Sequence, residues 1–127
     1  MPNEDDYKKL TRVMQHLRCT RELTLTIEPG SNAQWWVDSF YAVHMDMQSH
    51  TGIMMTFGKG VTYSTSFKQK INTKSSMDAE LVAVNDAMGQ VLSTRHFLSA
   101  QGMAVSTTTI YQDNKSMNYS LRMVVAP

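Results

Sequence analysis

The ten residues QWWVDSFYAV, at positions 34–43, decide the fold class of this chain. Aromatic and β-branched side chains dominate them, which is typical of a β-strand. Asp38 stands in the middle of the stretch, where an ionised carboxylate is costly unless it is paired, hydrogen-bonded or bound to a metal. The alternative is that Asp38 lies on the solvent face of an edge strand. The stretch therefore predicts a sheet and makes Asp38 a candidate functional residue.

Two further strands are predicted immediately after this one. Residues 51–57 and 61–67 have strand-like composition, and Gly58-Lys59-Gly60 between them is typical of a hairpin connection. From Ser76 to Ala100 the apolar spacing changes to that of a helix, and Ser75 to Asp78 has the form of a capping box. The apolar positions of this helix include Leu81, Val84, Met88, Val91 or Leu92, and Leu98.

The elements after the long helix complete the predicted architecture. Residues 107–112 are β-branched and predict a fourth strand, and Asn114 is placed to cap another helix. The order strand, strand, strand, helix, strand, helix predicts a mixed sheet with helices packed on it, which is the α/β class.

The N-terminal segment is predicted to be a separate lead-in element. Its apolar residues recur every three or four positions from Asp5 to Arg18, which indicates one face of an amphipathic helix with Asn3 as its N-cap. Pro29 and Gly30 break this pattern. The predicted organisation is a connecting segment over 1–30 and a body over 31–127.

Composition limits the classes of function. The chain has 127 residues, 42% hydrophobic and 18% charged, and a net charge of +1, which is typical of one soluble domain and excludes a histone-like protein. No stretch of 18 apolar residues occurs, and the acidic N-terminus does not resemble a signal peptide. We therefore expect an intracellular protein, in cytoplasm or nucleus, with no membrane partner. The single cysteine, Cys19, excludes an internal disulfide.

Three carboxylates lie at informative positions: Asp38, Glu80 in the first turn of the long helix, and Asp113 at the end of the fourth strand. Glu80 alone is explained by the helix dipole, and Asp113 alone by turn chemistry. If the fold brings all three together, divalent cations relieve their repulsion most simply. Ligands that are all oxygen select Mg²⁺ or Mn²⁺ over zinc.

A basic segment separates Asp46 from Asp78. It carries four lysines and no acid, and hydroxyl side chains accompany the lysines. This pattern fits a track along a phosphate backbone, or alternatively a solvated sheet edge. The candidate residues are Lys59, Lys68, Lys70, Lys74, Ser75 and Ser76.

Other reactive residues lack a recognised motif. His44 and Asp46 could share a metal ion, although their spacing is more typical of a loop. Serine, histidine and aspartate are present without a nucleophile elbow, so the sequence does not predict a hydrolytic triad.

Five ordered blocks resemble the ribonuclease H domain of Ty1/copia-type retrotransposon polyproteins. These blocks are DSFYAVH at 38–44, SHTG at 49–52, YSTSFKQK at 63–70, SSMDAEL at 75–81 and YQDNKS at 111–116. Residues 5–28 resemble the segment that connects such a domain to the upstream reverse transcriptase domain.

The resemblance implies an RNase H-like fold in which Asp38, Glu80 and Asp113 match the family's first three catalytic acids. It implies that two Mg²⁺ ions, with Mn²⁺ as a substitute, hydrolyse the RNA strand of an RNA/DNA hybrid that is recognised through its 2′-hydroxyl groups. Asn114 joins the lysines and serines as an expected nucleic-acid contact, and the upstream reverse transcriptase is an expected partner.

The sequence also departs from the family pattern. The family has a fourth acid in a later helix, whereas this sequence stops at Pro127 before that element, so we expect an incomplete domain that cleaves poorly in Mg²⁺ and better in Mn²⁺. One alternative is a non-catalytic retroelement relic that acts as a scaffold or weak nucleic-acid-binding module. Another is an unrelated α/β interaction domain.

Overall fold

The fold consists of one sheet and two helices. The computed structural model describes residues 2–27, 32–103, 105 and 108–112, and the backbone of 122–123. The elements are α1 (Glu4–Cys19), β1 (Gln34–Phe40), β2 (His50–Thr56), β3 (Val61–Lys68), α2 (Ser76–Ala100), β4 (Thr108–Tyr111) and β5 (Arg122–Met123).

The strands form a mixed sheet in the order β3-β2-β1-β4-β5. β1, β2 and β3 are antiparallel neighbours, whereas β4 pairs with β1 in parallel and β5 with β4 in antiparallel orientation. The parallel pair requires a crossover, and α2 lies between β3 and β4 in the chain. The predicted α/β class and the order of the first five elements after residue 31 are confirmed.

β1 is shorter than predicted. It ends at Phe40 rather than Val43, because the chain turns at Tyr41 and Ala42, where Ala42 has a φ of 48°. Its place between β2 and β4 makes it a central strand.

The core lies between one face of the sheet and α2. Trp35 and Val37 point from β1 toward this core, with Ile53 from β2 and Ile110 from β4. α2 contributes small residues: Ala79, Ala83 and Ala87 are completely buried.

The prediction of the buried helix face was wrong in part. Leu81 is 48% exposed, while Val84 and Met88 pack only partly against the core. The bulky Trp35 of the sheet is accommodated by the alanines, which recur every four residues along one face of the helix. Size complementarity, rather than the largest apolar side chains, selects the buried face.

α2 begins and ends where the sequence predicts, but its predicted capping box forms only in part. The Ser75 side chain accepts a hydrogen bond of 3.1 Å from the backbone N–H of Asp78. The Asp78 carboxylate accepts from the N–H of Lys74 instead of Ser75, so only half of the capping box forms. Gly102, with a φ of 78°, follows the last turn.

α1 has the predicted boundaries to within one residue and a complete capping box at Asn3. None of its residues is buried, and its apolar side chains are exposed. The following segment contacts the sheet, since Thr26 and Leu25 lie against Gly60 of the β2–β3 turn. Neither helix in the described residues is long and apolar enough to cross a bilayer.

Candidate functional site

A groove of about 710 Å³ lies on the face of the sheet opposite α2. Asp38 pairs in register with Gly52, and Gly52 with Ser66, so these three residues form one row across β1, β2 and β3. Neighbouring strands are about 4.8 Å apart, which separates the Asp38 and Ser66 backbones by about 10 Å. Because Gly52 has no side chain and open space beside it, the floor between them is clear.

An aromatic pair forms one wall of this groove. Trp36 and Tyr111 stack with ring centroids 5.2 Å apart and an interplanar angle of 20°. Met54 lines the groove beside them. The wall therefore offers an apolar surface on which a planar group can lie.

Asp38 lies on the open face of β1, in the groove. It is exposed, and its Oδ1 accepts a hydrogen bond of 2.8 Å from the backbone N–H of Ser39. The alternative of an edge strand is excluded by the central position of β1, although the solvent-facing orientation is correct. Asp38 is thus available to a ligand in the groove.

Glu80 lies just past the first turn of α2, where Asp78 is the acidic residue, and not in that turn as predicted. It is only 6% exposed, and the side-chain amide of Gln112 donates a hydrogen bond of 2.6 Å to its Oε2. Gln112 directly follows β4 and also lines the groove that contains Asp38. Gln112 therefore connects the acid on α2 with the open face of the sheet.

Gln69 positions the N-terminal turn of α2. It is 1% exposed, and its amide donates to Thr51 Oγ1 at 3.0 Å and to the carbonyl of Ala79 at 2.9 Å. Its own N–H donates to the Ser49 carbonyl at 2.8 Å. Because Ala79 precedes Glu80, this buried amide orients the acid. Gln69 stands between Lys68 and Lys70 in the sequence, and such charged neighbours are typical of an exposed position. Its role was therefore not predicted.

Asp113 and Asn114 lie outside the described residues. The last described pair between β1 and β4 is Trp36 with Tyr111, two residues before Asp113. Across the described ranges, which omit Asp113, no three acidic, histidine or cysteine side chains are close enough to hold a metal ion. The predicted three-acid cluster accordingly stays a prediction.

The four lysines do not form one patch. Lys59 lies in the β2–β3 turn, whereas Lys68 ends β3 and Lys70 and Lys74 follow it. β3 separates these two locations by about 23 Å, at about 3.3 Å per residue. Lys70 and Lys74 are exposed near the start of α2, where Ser75 caps the helix and Ser76 is exposed.

Asp46 neutralises part of this basic segment. Its carboxylate forms an ion pair with Lys68, and the hydrogen bond from the Lys68 ammonium lowers the pKa of Asp46. The charge that Lys68 can offer to a phosphate is therefore reduced, and Lys70 and Lys74 become the better candidates.

His44 has a different partner from the one considered in the sequence. Its Nε2 lies 3.0 Å from Nδ1 of His50, and the other ring nitrogen of His50 lies 2.7 Å from Ser66 Oγ. Asp46 contacts Lys68 instead of sharing a ligand with His44. Ser66 belongs to the groove lining.

Comparison of the chain with models of protein families, with curated proteins and with solved structures found no match.

Proposed function

We propose that the chain is an RNase H-like domain that hydrolyses the RNA strand of RNA/DNA hybrids, with divalent cations held by Asp38, Glu80 and Asp113. The observation that carries this proposal is the position of Gln112. Its amide holds Glu80, it lines the groove that contains Asp38, and the next residue is Asp113. From this position of Gln112 we infer that Asp38, Glu80 and Asp113 meet beside the end of β4.

The donor chemistry of these residues fits a hard cation. Carboxylate oxygens are the ligands that Mg²⁺ and Mn²⁺ prefer. Gln112 is neutral, so its hydrogen bond orients Glu80 without offsetting the negative charge of this buried carboxylate. A divalent cation would offset that charge, and it would supply water activation and stabilisation of the leaving oxygen.

The surroundings of the acids suit a nucleic acid. The exposed Lys70 and Lys74 can contact phosphates of a substrate that reaches the N-terminal end of α2. The hydroxyl-rich face of β3, with Ser64 and Ser66 in the groove, can donate to phosphate or to a ribose 2′-hydroxyl. The lead-in segment with α1 is the part that would connect to an upstream reverse transcriptase domain.

Cleavage of an end-labelled RNA/DNA hybrid tests the proposal. The unchanged chain should cut the RNA strand when Mn²⁺ is present, less in Mg²⁺, and not at all in excess chelator. Asp38→Asn and Glu80→Gln should each reduce the rate at least about 100-fold, because each removes a metal ligand. Asp5→Asn, a change in the exposed N-terminal turn of α1, is the matched control and should leave the rate unchanged.

The same assay distinguishes the alternative of a non-catalytic relic. Salt-sensitive binding of hybrid without cleavage in either metal would favour a nucleic-acid-binding scaffold and contradict the catalytic proposal. Cleavage that persists equally in Asp38→Asn and Glu80→Gln would show that it occurs at another site.

A further inference from the structure

A chain of hydrogen bonds joins three side chains at the edge of the groove. Ser66 Oγ contacts His50 Nε2 at 2.7 Å, and His50 Nδ1 contacts His44 Nε2 at 3.0 Å. A neutral imidazole has one donor nitrogen and one acceptor nitrogen. All hydrogen bonds of this series therefore run either from Ser66 toward His44 or from His44 toward Ser66. In one of the two directions Ser66 donates to His50, and His50 donates to His44. That direction is the arrangement in which a base activates a serine and a third group orients the base.

The fold holds each member of this chain. His44 begins a tight turn, in which its N–H donates to Gln48 at 3.2 Å and its carbonyl accepts from Met47 at 2.8 Å. His50 is the first residue of β2, and both imidazoles are half-buried. Ser66 lies on the neighbouring strand β3, with its side chain exposed to the groove. The three side chains are thus positioned by paired strands and a closed turn.

The groove beside Ser66 indicates the class of substrate. Trp36, Met54 and Tyr111 provide an apolar surface, and among the described lining residues Asp38 is the charged one. When no divalent cation is bound at Asp38, this negative charge near the reacting centre disfavours an anionic substrate and favours a neutral one. An ester with an aromatic or aliphatic group fits these requirements.

The backbone can supply the donors that such a reaction needs. Among the described strands β3 is at the edge of the sheet, so alternate N–H groups along it point away from β2. A peptide N–H at this edge can donate to the oxyanion that forms when a carbonyl carbon is attacked.

We propose that Ser66 is a nucleophile for neutral carboxylic esters, with His50 as its general base and His44 as a positioning residue. Ser66 Oγ forms a bond to the ester carbonyl carbon while its proton moves to His50 Nε2. The bond from that carbon to the alcohol oxygen then breaks, and the alcohol leaves with the proton from His50. Water attacks the acyl-serine by the same proton route and releases the carboxylic acid. No metal takes part, so excess chelator separates this activity from the proposed nuclease function, although both use the groove.

Labelling with an alkyl fluorophosphonate in excess chelator tests the proposal. Ser66 attacks phosphorus, fluoride leaves, and mass spectrometry of peptides locates the added group. We expect labelling at Ser66, its loss in Ser66→Ala, and a decrease of about 100-fold in His50→Gln, as general-base catalysis typically contributes that much. Ser93→Ala is the matched control, since Ser93 is an exposed serine of α2 outside the groove lining and its loss should not affect the rate.

The role of His44 has its own readout. His44→Leu should slow labelling about tenfold, whereas His44→Gln, which retains an acceptor, should restore most of the rate. Circular dichroism of each variant establishes that it folds. Labelling of Ser66 no faster than that of Ser64, or an unchanged rate in His50→Gln, would overturn the proposal. Binding of micromolar Zn²⁺ to both histidines, in a chain that is neither labelled nor treated with chelator, would also overturn the proposal. That result would assign the histidine pair to metal binding.

Discussion

The side-chain amide of Gln112 donates a hydrogen bond of 2.6 Å to the carboxylate of Glu80, so a residue at the end of β4 holds the acid on α2. This bond crosses from the sheet to the first turns of the helix. It connects two sequence blocks that are 32 positions apart.

Replacing Gln112 should therefore remove the group that orients Glu80 while leaving the charge of Glu80 in place. Gln112→Leu removes the donor of this hydrogen bond and leaves the Glu80 carboxylate without it. We expect a loss of about 1–3 kcal/mol in the free energy of unfolding. The affinity for Mn²⁺ should fall as well, because Glu80 loses the contact that orients it. Urea denaturation and calorimetric titration with Mn²⁺ measure the two effects. Gln112→Leu with unchanged Mn²⁺ affinity would show that the bond has no role in the site.

Gln69 is a second side-chain amide that positions Glu80, and unlike Gln112 it is fully buried. Gln69→Leu removes its bonds to Thr51 and Ala79 and should lower the free energy of unfolding by about 1–3 kcal/mol. Faster amide hydrogen exchange should be confined to the N-terminal turns of α2, since those turns lose their attachment to β2. Uniform acceleration over the whole of α2 would contradict this local role.

The alanine face of α2 predicts opposite effects for two substitutions in one helix. Ala83→Leu inserts a large side chain against β1 and should destabilise the fold by about 1–3 kcal/mol. Gly89→Ala should stabilise it by about 1 kcal/mol, because a Cβ there meets open space and alanine has the higher helix propensity. Thermal denaturation of both variants checks the direction; stabilisation by Ala83→Leu would place α2 farther from the sheet than the structure does.

Alanine substitutions at two glycines with similar φ angles separate the cost of backbone strain from the cost of a steric clash. Gly60 and Gly102 have φ values of 77° and 78°, but only at Gly60 would an added Cβ clash with the carbonyl of Thr26. Gly102→Ala should cost about 1 kcal/mol from backbone strain alone, and Gly60→Ala should cost more. Equal costs in denaturant unfolding would mean that residues 25–26 do not lie against the β2–β3 turn in solution.

The ion pair between Asp46 and Lys68 predicts a pH effect. The Lys68 ammonium lowers the pKa of Asp46 in the folded chain, so the stability from the pair is present near neutral pH and is lost as pH falls through that lowered pKa. Carbon-13 NMR titration should place the Asp46 midpoint below that of an ordinary aspartate, and Lys68→Met should raise it. The pair is exposed, so its effect on unfolding should be small.

The separated lysines also predict different effects on nucleic-acid binding. Lys70→Glu with Lys74→Glu should weaken binding to hybrid and to duplex alike and make the salt dependence shallower by about 0.9 in log-log slope per lost contact. Lys59→Glu, beyond the far end of β3, should change the slope less. Fluorescence anisotropy at several salt concentrations measures the affinity and its salt dependence for both sets of variants. Equal effects would show that all four lysines act as one extended binding surface.

Local patterns were sufficient to predict both described helices and the order β1, β2, β3, α2, β4, whereas β5 was not predicted and the capping box of α2 forms only in part. The helix predicted after Asn114 lies outside the described residues. The face of β1 was harder, because Trp35 and Trp36 make both faces apolar and alternation alone does not decide which contacts a helix. The burial of Ala83 in place of Leu81 depends on how closely α2 approaches Trp35, which is a property of the packed pair.

The candidate site also contains features that sequence patterns could not predict. The row of Asp38, Gly52 and Ser66 follows from strand register, which turns and bulges fix and which composition does not specify. The contact between His44 and His50 depends on the turn after β1, where Met47 has a φ of 61° that its residue type does not favour.

Paramagnetic broadening by Mn²⁺ tests the central claim, the convergence of Asp38, Glu80 and Asp113, most directly. At low occupancy, a single ion bound by the three acids broadens the backbone amide signals of residues near each of them together. We predict simultaneous broadening at 37–39, 79–81 and 112–114, its loss in Asp38→Asn, and its displacement by excess Mg²⁺. Broadening confined to acids elsewhere, such as Glu4 to Asp6 or Asp46, with residues 37–39 and 79–81 unaffected, would contradict the account.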